Sequence, residues 1–226
     1  NLKIQTNLIE ISWQFKVKSL IFLGSSCIYP KFAKQPIKEE YLLTDTLEKT
    51  NEFYALAKIA GIKLCQALKK QHNFNAIALM PSNLYGPGDN YHAMNSHVIP
   101  ALIRKFYDGK KNNSKVVKCW GSGTPLREFL YVDDLSYAIL FSIENNLNKS
   151  IYNVGYGKDI TIYDLSLIVK NIVNYKGNII WDKTKPDGTP KKLLDSSELN
   201  KIGWKPKTKL KEGIKLTYNW FLNHFK

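Results

Sequence analysis

Lys18-Ser-Leu-Ile-Phe-Leu-Gly24-Ser-Ser26 decides how this chain is read. Its centre is an unbroken apolar run that stops at a glycine and two serines. A parallel strand covered by helices on both faces has that pattern, because neither face needs polar residues. Upstream, Leu8, Ile9, Ile11, Ser12 and Phe15 suit the end of a helix. Downstream, a loop punctuated by Pro30 and Pro36 leads into a helix expected over 51–71. Thr50 or Asn51 can cap that helix, and Glu52 sits in its first turn.

The same reading continues outward. Ala76-Ile-Ala-Leu-Met80 is a second strand, stopped by Pro81, and Asn83-Leu-Tyr-Gly-Pro-Gly-Asp-Asn90 is turn chemistry. A helix is expected over 98–107, a strand over 116–120, a turn over 121–125 and a strand over 129–132. Asp133 and Asp134 then cap a helix that runs to Asn145. A buried strand over 151–154, a helix over 161–174, an extended stretch over 178–181 and an aromatic-rich helix over 210–225 complete the chain. Alternating strands and helices predict an α/β fold, the C-terminal part of a Rossmann-type parallel sheet, with a smaller mixed α/β lobe over the sheet's carboxyl edge. The expected division is 1–88 plus 129–157 for a partial Rossmann domain and 89–128 plus 158–226 for a substrate-binding lobe.

With 226 residues, 44% of them hydrophobic and 12% aromatic, the chain can bury a true core and is too apolar to be disordered. No apolar run of about 18 residues occurs, so no membrane partner is expected. Cys27, Cys65 and Cys119 are scattered and odd in number, which points to a reducing cytoplasm and to no metal centre. A net charge of +14 invites a nucleic-acid reading. Against it, all but two of the 33 basic residues are Lys, spread along the whole chain, whereas specific readers of bases lean on Arg. Arg104 and Arg127 are the two exceptions.

Tyr54-Ala-Leu-Ala-Lys58 falls inside the expected helix, where a four-residue step puts both side chains on one face. An ammonium so placed lowers the pKa of a phenol, which then serves as a general acid or base near neutrality. By itself the pair reads equally well as surface neighbours. Ser25 and Ser26 stand just past a strand's end, where a hydroxyl can bond the reacting oxygen beside that phenol. Cys27 reads as a small buried hydrophobe or as a thiol that exchanges a proton with a substrate carbon. His97 is either structural or the partner of Cys27 on the opposite side.

A strand, then Gly-Ser-Ser, then a helix with Tyr-x-x-x-Lys resembles the active-site signature of the short-chain dehydrogenase/reductase superfamily. Six longer segments narrow the match. They are Gly24-Ser-Ser-Cys-Ile-Tyr-Pro30, Thr50-Asn-Glu-Phe-Tyr-Ala-Leu-Ala-Lys-Ile-Ala-Gly-Ile-Lys-Leu-Cys65, Asn83-Leu-Tyr-Gly-Pro-Gly-Asp-Asn90, Asn95-Ser-His-Val-Ile-Pro-Ala-Leu-Ile-Arg104, Trp120-Gly-Ser-Gly-Thr-Pro-Leu-Arg-Glu-Phe129 and Lys185-Pro-Asp-Gly-Thr-Pro-Lys-Lys-Leu-Leu-Asp195. In this order, from about Leu2 to the carboxyl end, they resemble the GDP-L-fucose synthase family.

The resemblance implies inversion at two carbons of GDP-4-keto-6-deoxy-D-mannose, followed by NADP(H)-dependent reduction to GDP-L-fucose. It assigns catalysis to Ser25, Cys27, Tyr54, Lys58 and His97. Cofactor contacts fall on Leu23, Gly24, Ser25, Ser26, Lys58, Pro81, Ser82, Asn83, Leu84 and His97, and the GDP-sugar falls to Lys105, Trp120, Arg127, Asp187 and Lys192. It also implies a homodimer packed through helices, one of them 51–71. Lys105 and Lys191 stand where the family commonly has Arg, Ser82 where it has Thr, and Tyr131 where it has His. The Gly-rich turn and first βα units with which the family begins do not precede Lys18, so these 226 residues alone are expected to be poorly soluble or inactive. Two alternatives stand beside this reading: a related sugar-nucleotide epimerase or dehydratase, and a non-catalytic remnant.

Overall fold

The apolar run of the opening stretch forms a strand of four residues, paired in parallel with one neighbour. The computed structural model describes residues 1–145 and 147–225. In chain order its elements are α1 (Leu2–Gln14), β1 (Leu20–Leu23), α2 (Glu52–His72), β2 (Ala76–Pro81), β3 (Asn83–Tyr85), α3 (Val98–Lys111), β4 (Val116–Trp120), β5 (Leu126–Tyr131), α4 (Val132–Glu144), β6 (Ile151–Val154), β7 (Asp159–Thr161), α5 (Ile162–Val173), β8 (Asn178–Asp182), β9 (Lys191–Lys192), α6 (Ser197–Ile202) and α7 (Leu210–His224).

Strands β1, β2 and β6 make a parallel sheet in that order, with Leu20 opposite Ala76 and Ala78 opposite Ile151. Every residue of β2 is buried, as a central strand covered on both faces requires. One face packs on α1 and α2. Ala55, Ile59, Ile62, Cys65 and Leu68 form the buried stripe of α2, at the three- and four-residue steps of one helix face. Each large aliphatic side chain in that stripe contributes about 1.5–3 kcal/mol by leaving water. Gly61 lets the helix come close, since a Cβ there would lie 2.6 Å from the ring of Phe22. The helix stops at Asn73, whose left-handed backbone returns its N–H to Leu68 O. The opposite face packs on α4 through Ile77, Leu79, Leu135 and Ala138.

A second core joins α3, α5 and α7 to the short sheets, with Phe106, Leu165, Ile214 and Phe221 buried at its centre. β3, β7 and β9 all pair with β5, and β4 pairs with β8. This is the expected α/β plan, a parallel Rossmann-type sheet with a mixed second part.

Several local expectations are corrected. Asn83–Tyr85 is a strand beside β5 and only Gly86 onward turns. Helix α3 runs four residues past Tyr107, whereas α1 ends at Gln14 as the Leu8–Phe15 stretch implies. Asp133 and Asp134 lie in the first turn of α4 without capping it. The Asp134 carboxylate instead accepts the backbone N–H groups of Lys207 and Thr208, tying the chain before α7 to this helix. β7, β9 and α6 were not anticipated.

Candidate active site

Beyond Leu23 the chain leaves β1 and closes into a 3₁₀ turn over Ser26–Ile28. Ser25 caps that turn: its Oγ accepts the N–H of Cys27 at 3.2 Å. Ile28, fully buried, anchors the turn from below, so Ser25 and Cys27 are held at the sheet's carboxyl edge while remaining partly accessible. Tyr54, in the first turn of α2, faces the same space. The resulting cleft has a volume of about 670 Å³, and Ser25, Cys27, Tyr54, Ser82, Asn83 and His97 all line it.

Burial pushes the Tyr54 phenol above its ordinary value; the Ser25 side chain pulls it back and Cys27 adds to the rise. The phenol is therefore held in its protonated form, ready to donate. The Lys58 side chain, expected to lower that value, is turned elsewhere in this structure. The Lys58 ammonium donates to Leu23 O at 2.8 Å and lies 5.1 Å from the Phe22 ring centre, so its charge is directed at the end of β1. Burial lowers the Lys58 pKa.

Of the expected cofactor residues, Gly24, Ser25, Ser26, Pro81, Ser82, Asn83, Leu84 and His97 line the cleft, while Leu23 and Lys58 are not part of its lining. Ser82 is buried and its Oγ has no hydrogen-bond partner in the protein. An orphaned hydroxyl on a large, mostly apolar cleft fits the polar edge of a bound ring, and these residues fit the nicotinamide end of a dinucleotide.

A second cavity of about 280 Å³ shares Asn83, His97 and Val98 with the first and adds Trp120, Arg127 and Asp187. Arg127 is backed by its own strand, donating to Leu126 O at 2.9 Å and to Asp187 O at 3.1 Å. Asp187 is fixed from the other side, accepting from Ser122 N at 2.8 Å and from Ser122 Oγ at 2.7 Å. Those bonds hold its carboxyl below the usual carboxylate range. A third hollow of about 200 Å³ lies between Lys105, Trp120 and Trp181. The Lys105 and Lys185 ammoniums lie 5.1 and 5.6 Å from the Trp120 ring centre. Lys192 lies apart from these walls, and its Nζ stands 3.6 Å from Cys27 Sγ. Arg104 is no plain surface residue: it donates to Tyr91 O, pairs with Asp108 and covers the Phe225 ring.

Residues 1–155 match the NAD dependent epimerase/dehydratase family. GDP-L-fucose synthase 1 of Arabidopsis thaliana is 54% identical over 224 residues, which cover 99% of this chain and 69% of that protein. The chain belongs to the GDP-L-fucose synthase family. A GDP-6-OMe-4-keto-L-xylo-heptose reductase from C. jejuni superposes with a TM-score of 0.93 at 35% identity, over 98% of this chain and 75% of the other. A GDP-L-fucose synthetase from Naegleria fowleri, bound to NADP, gives 0.92 at 27% identity over 99% of this chain and 72% of the other. Within that family the present chain brings the Ser-Ser-Cys turn, the Tyr54 helix and His97 to one cleft. Sequence reading missed Asn51 and Asp89 on its wall and Ser122 behind Asp187. Asn51 directly precedes the tyrosine helix, which was the one local signal available.

Proposed function

We propose that this protein makes GDP-L-fucose, by 3,5-epimerisation of GDP-4-keto-6-deoxy-D-mannose and NADPH-dependent reduction at C4. The observation that carries this reading is one cleft lined together by a hydroxyl, a thiol, a phenol and an imidazole, from Ser25, Cys27, Tyr54 and His97. The C4 ketone makes the hydrogens on C3 and C5 acidic, because the carbanion left behind is an enolate. Ser25 and Tyr54 hydrogen-bond the oxygen on which that charge collects. Inversion needs one group on each face of the sugar, and Cys27 and His97 supply them. Tyr54 then protonates the C4 oxygen, for which its raised pKa keeps the proton available. NADPH, when bound, supplies the hydride to C4. Lys58 holds the end of β1 through Leu23, and its role toward the cofactor is to bond a ribose hydroxyl.

Arg127 and Lys192 present the cations for the diphosphate, and Trp120, flanked by Lys105, presents a flat wall. Asp187 serves mainly to hold the chain beside Arg127. The two-lobe division, 1–88 with 129–157 for the cofactor and 89–128 with 158–226 for the substrate, draws support from the separate core around α3, α5 and α7. Exposed Leu8, Ile11, Phe53 and Leu56 on α1 and α2 support a homodimer packed through these helices. Among the described residues no helix is long and apolar enough to cross a membrane. The three free thiols favour a reducing compartment such as the cytoplasm.

The test is turnover of GDP-4-keto-6-deoxy-D-mannose with NADPH by the full-length protein. GDP-L-fucose is the expected product, and a 4-epimer with unchanged C3 and C5 would reject the reading.

A further inference from the structure

Glu128 is fully buried beneath the site, between Arg127 and Phe129 on β5. Strand side chains alternate, so Arg127 and Phe129 share one face, each lining a cavity described above, and Glu128 points the opposite way. Its two carboxylate oxygens go to two different parts of the chain. Oε1 accepts the N–H of Gly157, in the turn between β6 and β7, at 2.6 Å. Oε2 accepts the N–H of Leu194, just past β9, at 3.0 Å. Its backbone O accepts from Asn83 Nδ2 at 2.8 Å, on the far side of the strand pair.

The surroundings are shaped for this group. A Cβ on Gly155 would sit 2.4 Å from Glu128 Oε1, so only glycine leaves room there. Gly155 N–H is taken by Ser196 Oγ at 2.8 Å, which holds the same turn from another side. β9 is only two residues long, and its pairing sets Arg127 opposite Lys192. A pairing that short has little strength of its own; Gln35 and Ile37 hold the segment beyond it from one side, and the bond from Leu194 to Glu128 ties it back to β5. Lys192, two residues before Leu194, is the residue whose ammonium meets Cys27.

We propose that Glu128 is a positioning residue for the GDP-sugar: by bridging Gly157 and Leu194 behind β5, it sets Lys192 and Arg127 at the distance a diphosphate requires. The assignment rests on the reading of this site as a GDP-sugar site. A planar carboxyl with one oxygen toward the Tyr156–Gly157 turn and the other toward Leu194 suits the task. A glutamine in its place presents an NH₂ to one of the two N–H groups and loses that bond. Removing the bond loosens the segment carrying Lys192 from β5, although Gln35 and Ile37 still hold its other side, and leaves Ser25, Tyr54 and the cofactor side of the cleft in place.

Calorimetry with GDP, and separately with NADPH, on full-length wild type and Glu128→Gln tests it. The expected result is GDP affinity lowered about tenfold with NADPH affinity within about twofold of wild type. Equal GDP affinity in the two proteins, or an equal loss for both ligands, overturns the positioning role. A folded wild type that does not bind GDP instead overturns the reading of the site. If Glu128→Gln does not fold, Glu128→Asp carries the same comparison, since it keeps the carboxyl but is one methylene too short to reach both Gly157 and Leu194.

Discussion

The two walls of the cleft are built in different ways. One wall, Ser25 to Cys27 and Tyr54, is made of two continuous segments seated on the core, with Ile28, Ala55 and Ile62 fully buried beneath them. The other wall gathers Trp120, Arg127 and Asp187 from separate segments, with Lys192 paired opposite Arg127, and buried or bonded carboxylates fasten it: Glu128 behind the strand, Asp187 on the turn at Ser122. The first wall inherits its geometry from secondary structure, the second from a few long-range hydrogen bonds. Damage to the first should therefore appear in chemistry, and damage to the second in substrate binding.

The sharpest break in that contrast is Tyr54→Phe. It removes the proposed proton donor without touching the buried face of α2, so the reduction rate should fall by roughly 10²–10⁴-fold while thermal stability stays near wild type. NADPH oxidation and a melting curve measure both, and a rate within a few fold of wild type would remove Tyr54 from catalysis. Next in size is the pH dependence of stability. Burial pushes the Glu128 carboxyl up to about 7 from an ordinary 4.5, against the N–H groups of Leu194, Gly157 and Tyr156, with Asp159 adding to the rise and Lys191 pairing with Asp159. The folded protein thus keeps a proton that the unfolded chain releases first. Between those two values stability should fall as pH rises, by on the order of 3 kcal/mol from this group. Denaturant titrations across that window should show the slope in wild type and its loss in Glu128→Gln.

A smaller effect sharpens the second wall. Asp187→Ala releases Ser122 from its carboxylate partner, leaving the chain beside Arg127 less restrained. The KM for the GDP-sugar should rise by about tenfold and kcat should change little. A kcat loss as large as that of Tyr54→Phe would erase the distinction between the walls.

The same contrast explains what could be read from the sequence. β1, β2 and the core of α2 announce themselves by apolar runs and helical spacing, and Ser25, Cys27 and Tyr54 ride on those segments. β3 was hidden because Asn83-Leu-Tyr is too short for a period and runs straight into Gly-Pro-Gly. β9 is two lysines, chosen as a strand only by register with Leu126 and Arg127. The approach of Lys192 to Cys27 spans 165 positions, a separation no local pattern encodes. Asp134 looked like a helix cap because of its place, and its partners at Lys207 and Thr208 lie far along the chain. Glu128 was passed over beside the conspicuous Arg127, because only the fold reveals that it points inward.

The central claim is that Cys27 and His97 exchange protons with the carbons flanking the ketone. The direct test is turnover in D₂O with the product read by NMR, for wild type and Cys27→Ser. Wild-type product should carry deuterium at both C3 and C5, and Cys27→Ser should leave both carbons uninverted. Full labelling and inversion by Cys27→Ser would contradict the account.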